Sequence, residues 1–220
     1  MNNNFEKHNG DSLDSLGHPK WGEDATDQMI ESFEKNYEEI KKVCGPYIEQ
    51  FGKRDKSDII SILNNHGAWL SSARLMTHLE HVLDVDIWEN KRINRDEFAK
   101  KYGSDCEGVS KAMRGYIYIP MNEEEADSRD GNAALDVYES VAHEMFHVYQ
   151  GKVSREGGEH ADIYRAEYDD YRSPLNGDSL DEYATQMVEQ EAHYFGWAIR
   201  KVMLGELLKA RESNQWTGNQ

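Results

Sequence analysis

His143-Glu144-Met145-Phe146-His147 is the stretch of this chain whose residue types and spacing point most directly to chemistry. It reads H-E-x-x-H, inside a run from Asn132 to Gln150 whose apolar residues Leu135, Val137, Val141, Ala142, Met145, Phe146 and Val148 recur as in a helix. Gly151 marks the expected stop. On a helix, residues i and i+4 share one face. Both imidazoles can then reach a single metal ion, and Glu144 can reach a water held by that ion. Zinc hydrolysis needs this arrangement. The plain alternative is an amphipathic helix with two histidines on its polar side.

A catalytic zinc takes three protein ligands and keeps a fourth position open. A third histidine in the H-E-x-x-H-x-x-G-x-x-H pattern is ruled out: Gly151 is one residue late and His160 lies too far on. Two carboxylates further along, Glu189 and Glu191, are the other source. On one helix they point about 200° apart. Glu191 falls on an apolar stripe with Ala184, Val188, Phe195 and Ala198, an unusual place for an unpaired carboxylate. Glu189 falls with Glu182, Gln186 and His193, and His193 at i+4 offers it a supporting partner. The residues alone leave both open.

H-E-x-x-H followed by Glu189-Gln190-Glu191-Ala192-His193-Tyr194-Phe195-Gly196, an E-x-E-A-x-x-F-G run, resembles zincin-like metallopeptidases of the gluzincin type. It is similar in particular to the small ImmA/IrrE-like proteins of bacteria and their mobile elements. The resemblance covers roughly residues 115 to 200. It implies a zincin core with a strand at Gly115–Ile119 before the motif helix. It also implies one Zn2+ per chain held by His143, His147 and Glu189, with Glu144 as general base. Gly196-Trp197-Ala198 departs from the family, where small residues and a closing Leu-Met-Pro are usual.

Peptide hydrolysis also needs a donor for the developing oxyanion. Tyr164, Tyr168, Tyr171, His160 and Arg165 all lie in the connection expected to cover the cleft, and nothing in the sequence ranks them. Phe146 and Tyr149 read as core and rim, or as the lining of a specificity pocket. A second group, His78, Glu80, His81, Asp84 and Asp86, crowds one segment, but its spacing fits no metal pattern and reads as a solvated helix end.

The elements that must position these residues give an α+β, mostly helical chain. Residues 1–25 read as a flexible arm, 26–103 as a helical region, 104–212 as the zincin-like core and 213–220 as a frayed tail. The periodicity predicts helices from Thr26 or Asp27 to Val43, ended by Gly45-Pro46, then over Ser57–Leu63 and Ala68–Leu83. Leu83–Trp88 reads as a strand or a frayed helix end. A short helix follows at Asp96–Tyr102, then an irregular stretch from Cys106 to Arg114. Gly115–Pro120 is the best strand signal, either an edge for an extended substrate or an internal strand. Asn122–Gly131 reads as an acidic loop, Glu159–Asp170 as partly helical, and Ser179 or Asp181 as the cap of one long helix to Ala210.

The chain has 220 residues, room for one domain with a sizeable core. Its formal net charge of −17 argues against binding nucleic acid through phosphates and against docking on anionic membranes. The charge favours solubility and a basic partner or substrate, or is simply a well-solvated acidic surface; the expected reaction calls for a protein or peptide substrate. Cys44 and Cys106 allow one disulfide and imply no framework. No signal peptide or membrane span is visible, so the expected compartment is the cytoplasm. Oligomeric state is not legible. The competing function class is a non-catalytic acidic protein that binds a partner or senses a metal.

Overall fold

The computed structural model describes residues 26–53, 56–63, 67–102, 109–111, 115–128 and 131–213. The expected arm, the tail beyond Ser213 and Cys106 lie outside the described residues, and with Cys106 the question of a Cys44–Cys106 pair. Among the described residues the chain is mostly helical with one small sheet, as the α+β class requires. In order come α1 (Asp27–Gly52), α2 (Lys56–Leu63), α3 (Ala68–Leu83), β1 (Glu89–Ile93), α4 (Arg95–Tyr102), β2 (Val109–Lys111) and β3 (Tyr116–Pro120). Then follow α5 (Glu123–Asp127), α6 (Gly131–Glu156), α7 (Ala161–Asp169), a 3-10 turn (Pro174–Asn176), α8 (Leu180–Ala184) and α9 (Met187–Glu212). No described helix is long and apolar enough to cross a membrane.

Thr26 caps α1, its hydroxyl accepting from Met29 N at 3.2 Å. The helix does not stop at Gly45-Pro46 but runs through Pro46 to Gly52. Phe51, fully buried beyond the proline, joins the same core as Phe33, Ile40 and Val43. Burying such a side chain is worth about 1.5–3 kcal/mol, comparable to the roughly 3 kcal/mol an interior proline costs. Gly151 likewise fails to end α6, which continues to Glu156. The single long helix expected from Ser179 is two: Ser179 caps α8 with a capping box, and the chain breaks at Thr185-Gln186 before α9. The expected loop at 122–131 contains α5, capped reciprocally by Asn122 and Glu125.

The sheet has strand order β1-β3-β2, with β1 parallel and β2 antiparallel to β3. β3 is therefore internal, with β1 along its whole length and β2 beside Tyr116–Tyr118, and the edge expected for substrate addition is already occupied. Ile117 and Ile119 face the core. Leu83–Trp88 is neither strand nor frayed helix. Leu83 ends α3, Asp84 caps it in the left-handed region at φ 51°, and pairing begins only at Glu89. Gly115 (φ 62°) lies under this connection, where a Cβ would stand 2.5 Å from Asp86 O.

One contiguous buried cluster joins residues on both sides of position 103: Phe33, Ile40 and Leu79 pack with Val141, Phe146 and Phe195. Its centre is the crossing of α6 and α9, where the Phe146 and Phe195 rings lie 4.7 Å apart. Gly196 sets how close the helices come. A Cβ there would lie 2.8 Å from Glu139 O and 3.3 Å from the Cβ of His143. The absence of a side chain at Gly196 is what lets α9 lie directly against the motif helix.

Candidate metal centre

α6 supplies His143, Glu144 and His147 from adjacent turns, and α9 supplies Glu189 from its first turn. The start of α9 is fixed from outside. Its first backbone N–H groups have no partner within the helix, and Met187 N and Val188 N donate, both at 2.9 Å, to the Glu167 carboxylate of α7. A carboxylate at a helix N-terminus also complements the macrodipole. Burial pushes the Glu167 carboxyl up, against the lowering effect of those two bonds.

His147 Nε2 lies 3.0 Å from His143 Nε2 and 3.3 Å from Glu189 Oε1, and His143 Nε2 lies 3.5 Å from Glu189 Oε2. Four-coordinate zinc with bonds of about 2.0–2.1 Å has ligand–ligand edges of roughly 3.4 Å. Two imidazole nitrogens and the two oxygens of one carboxylate are thus gathered at separations close to that edge, and one donor atom from each residue lies within 4.8 Å of the others. Glu189 Oε2 is buried and accepts no hydrogen bond, an unsatisfied position that a cation would fill. The Glu189 side chain is 1% exposed, that of His147 8% and that of His143 20%, so the group is approached past His143. Two imidazoles, one carboxylate and an open side are the donor set of a catalytic zinc site.

Electrostatics without metal follow from the same contacts. Burial opposes charge on His147, but the Glu189 carboxylate outweighs it, and the imidazole is pushed up to about 9. Burial alone would raise Glu189; the two histidines hold it well below the usual carboxylate range. Glu144 is buried one residue after His143, near enough for its charge to raise His147, Tyr168 and Tyr171.

Glu191, the rival third ligand, is turned away. It too is fully buried, but its oxygens accept from Tyr164 OH (2.6 Å), Gln150 Nε2 (3.0 Å) and His160 Nδ1 (2.7 Å). Of the five oxyanion candidates, Tyr164 and His160 are committed to Glu191, and Arg165 to Ser154 O and Asp162. Tyr168 bonds Gln150 Oε1 at 3.1 Å. Tyr171 is the one whose hydroxyl reaches the carboxylate of the triad, donating to Glu189 Oε1 at 2.5 Å, while the Tyr168 hydroxyl also lies 3.4 Å from His147 Nδ1; burial holds the Tyr171 phenol protonated far above its ordinary range. It takes the supporting place that spacing assigned to His193. Phe146 is core, and Tyr149 packs on Tyr47, their hydroxyls 3.0 Å apart.

The His78–Asp86 segment does not gather into a ligand group among the described residues; Asp84 pairs with Lys152 and Glu80 accepts from Ile87 N. A second ligand-like group, Glu39, Glu159 and His160, is open to solvent at both carboxylates and already neutralised by Lys42. Sequence reasoning missed Gln150 and Glu167. Gln150, a polar residue on the face of the two histidines, carried a readable signal; Glu167 carried none. Comparison with protein-family models, curated proteins and solved structures finds no match to this chain.

Proposed function

We propose that the protein is a zinc-dependent peptide hydrolase of zincin-like construction, with His143, His147 and Glu189 holding one Zn2+ and Glu144 acting as general base. The observation that carries this reading is the Glu189 carboxylate, buried between the two motif imidazoles at 3.3 and 3.5 Å with one oxygen unsatisfied. Bound zinc supplies Lewis acidity, which activates water at neutral pH and polarises a carbonyl. The remaining work falls to the protein. Glu144, on the turn that carries His143, takes the proton of the attacking water and returns it to the leaving amine. Tyr171 exchanges its bond to Glu189 for one to the substrate carbonyl oxygen as charge develops there. The substrate is a protein or peptide, entering on the side where His143 is exposed.

The test is digestion of a quenched-fluorescent peptide mixture by purified protein, before and after chelation and zinc return. Turnover abolished by the chelator and restored by stoichiometric zinc is the expected result. Glu144→Gln should keep its zinc and lose about 10²–10⁴-fold in rate. Full zinc with no turnover on any peptide would leave the metal-sensing alternative in its place, and an active Glu144→Gln variant would remove the assigned base.

A further inference from the structure

We infer that Gln150 and Glu191 form a positioning relay that fixes the tautomer of His147, so that its Nε2 lone pair faces the metal position. The inference deepens the zinc reading and rests on it for its consequence, but the relay itself is visible without metal. Gln150 is fully buried one turn after His147. Its Nε2 donates to Val188 O at 3.0 Å and to Glu191 Oε2 at 3.0 Å. A backbone carbonyl only accepts, so the NH2 group must lie on that side and Oε1 on the other. Oε1 lies 2.9 Å from His147 Nδ1 and also accepts from Tyr168 OH. A carbonyl oxygen there requires Nδ1 to carry a proton. Nε2 is then left to coordinate. Free imidazole prefers the opposite tautomer, so the protein has to impose this one.

Glu191 holds the amide in place. It is buried on α9 two residues beyond Glu189, and its oxygens are tied by Tyr164 and His160 as well as by Gln150. His160 reaches it from a backbone at φ 63°, disfavoured for a residue other than glycine. α7, α9 and α6 thus converge on a carboxylate that touches no ligand directly. The second Glu of the E-x-E-A run acts on His147 through one amide.

The test uses 15N-histidine-labelled zinc-free protein at a pH where the His147 imidazole is neutral, read by long-range 1H–15N correlation. It is followed by zinc titration against a competing chelator. Wild type should show the Nδ1–H tautomer. Gln150→Leu should lose it, and its Kd for zinc should rise about 10–100-fold, the usual cost of removing a group that orients a metal-ligating histidine. Gln150→Glu keeps an acceptor on Nδ1, and its second oxygen, protonated beside Val188 O and Glu191, keeps a donor toward them, so this conservative variant should recover both readouts. This variant also serves if Gln150→Leu does not fold. An Nε2–H tautomer in wild type, or unchanged tautomer and zinc affinity in Gln150→Leu, would overturn the relay. Loss without recovery in folded Gln150→Glu would make Gln150 a packing residue. A wild type with the Nδ1–H tautomer that takes up no zinc would support the relay and remove the metal reading.

Discussion

Glu189 and Glu191 stand two residues apart on one helix, both fully buried, and their surroundings are opposite in kind. Glu191 meets a tyrosine, a glutamine and a histidine that satisfy its oxygens. Glu189 meets two imidazoles, accepts from Tyr171 on one oxygen and accepts no hydrogen bond on the other, which lies 3.5 Å from His143 Nε2. Burial of a charge therefore does not identify a ligand. What separates the two is whether the buried charge is already satisfied by the protein. One carboxylate is satisfied by the scaffold, and the other keeps one oxygen without a hydrogen bond among the described residues.

The sharpest way to break this contrast is folding stability without zinc. Glu191→Ala strands the donors of Tyr164, Gln150 and His160, and should cost roughly 3–5 kcal/mol in urea unfolding. Glu189→Ala strands Tyr171 and removes the counter-charge of His147, but it also removes an unsatisfied buried oxygen, and should cost less, about 1–3 kcal/mol. Equal losses would erase the distinction. Tyr171→Phe tests the catalytic side next. A lost oxyanion donor should lower kcat by about 10²–10³-fold with KM little changed, whereas a change confined to KM would make Tyr171 a binding residue. Gly196→Ala brings a Cβ to 2.8 Å from Glu139 O. It should cost about 1–3 kcal/mol by forcing α6 and α9 apart, despite alanine's better helix propensity; an unchanged urea midpoint would show that the helices tolerate separation.

The smallest effect is in pH. Without metal, His147 is raised to about 9, so at neutral pH it carries a proton that zinc must displace. Below pH 9 the zinc affinity should fall about tenfold for each unit of acidification, with roughly one proton released per zinc near pH 7. Calorimetry in buffers of different ionisation enthalpy measures that proton directly, and its absence would mean that His147 is already neutral.

The motif was legible because helical spacing alone brings His143 and His147 to one face. Choosing between the two glutamates was not, for a physical reason. A polar face and an apolar stripe have meaning only on a helix with a solvent side, and the first turns of α9 are enclosed, with Val188 through Ala192 all buried. The break at Thr185-Gln186 was hidden as well, because the Glu167 carboxylate that starts the new helix comes from another element. β1 escaped notice because Glu-Asn-Lys-Arg-Ile is an exposed edge strand with one β-branched residue, held by its ladder to β3 rather than by its own pattern. Gly45-Pro46 and Gly151 were read as stops because their local cost is real; buried residues beyond them, such as Phe51 and Val153, outweigh it. The Asn122–Glu125 capping box of α5, by contrast, was readable in the sequence and was passed over.

The most direct measurement is metal content by elemental mass spectrometry, on wild type beside Glu189→Ala and Glu191→Ala, after zinc is supplied and excess removed. The account predicts one zinc per chain in wild type, none in Glu189→Ala and zinc retained in Glu191→Ala that is still folded. No zinc in the wild type, or zinc that survives Glu189→Ala and disappears in Glu191→Ala, would contradict it.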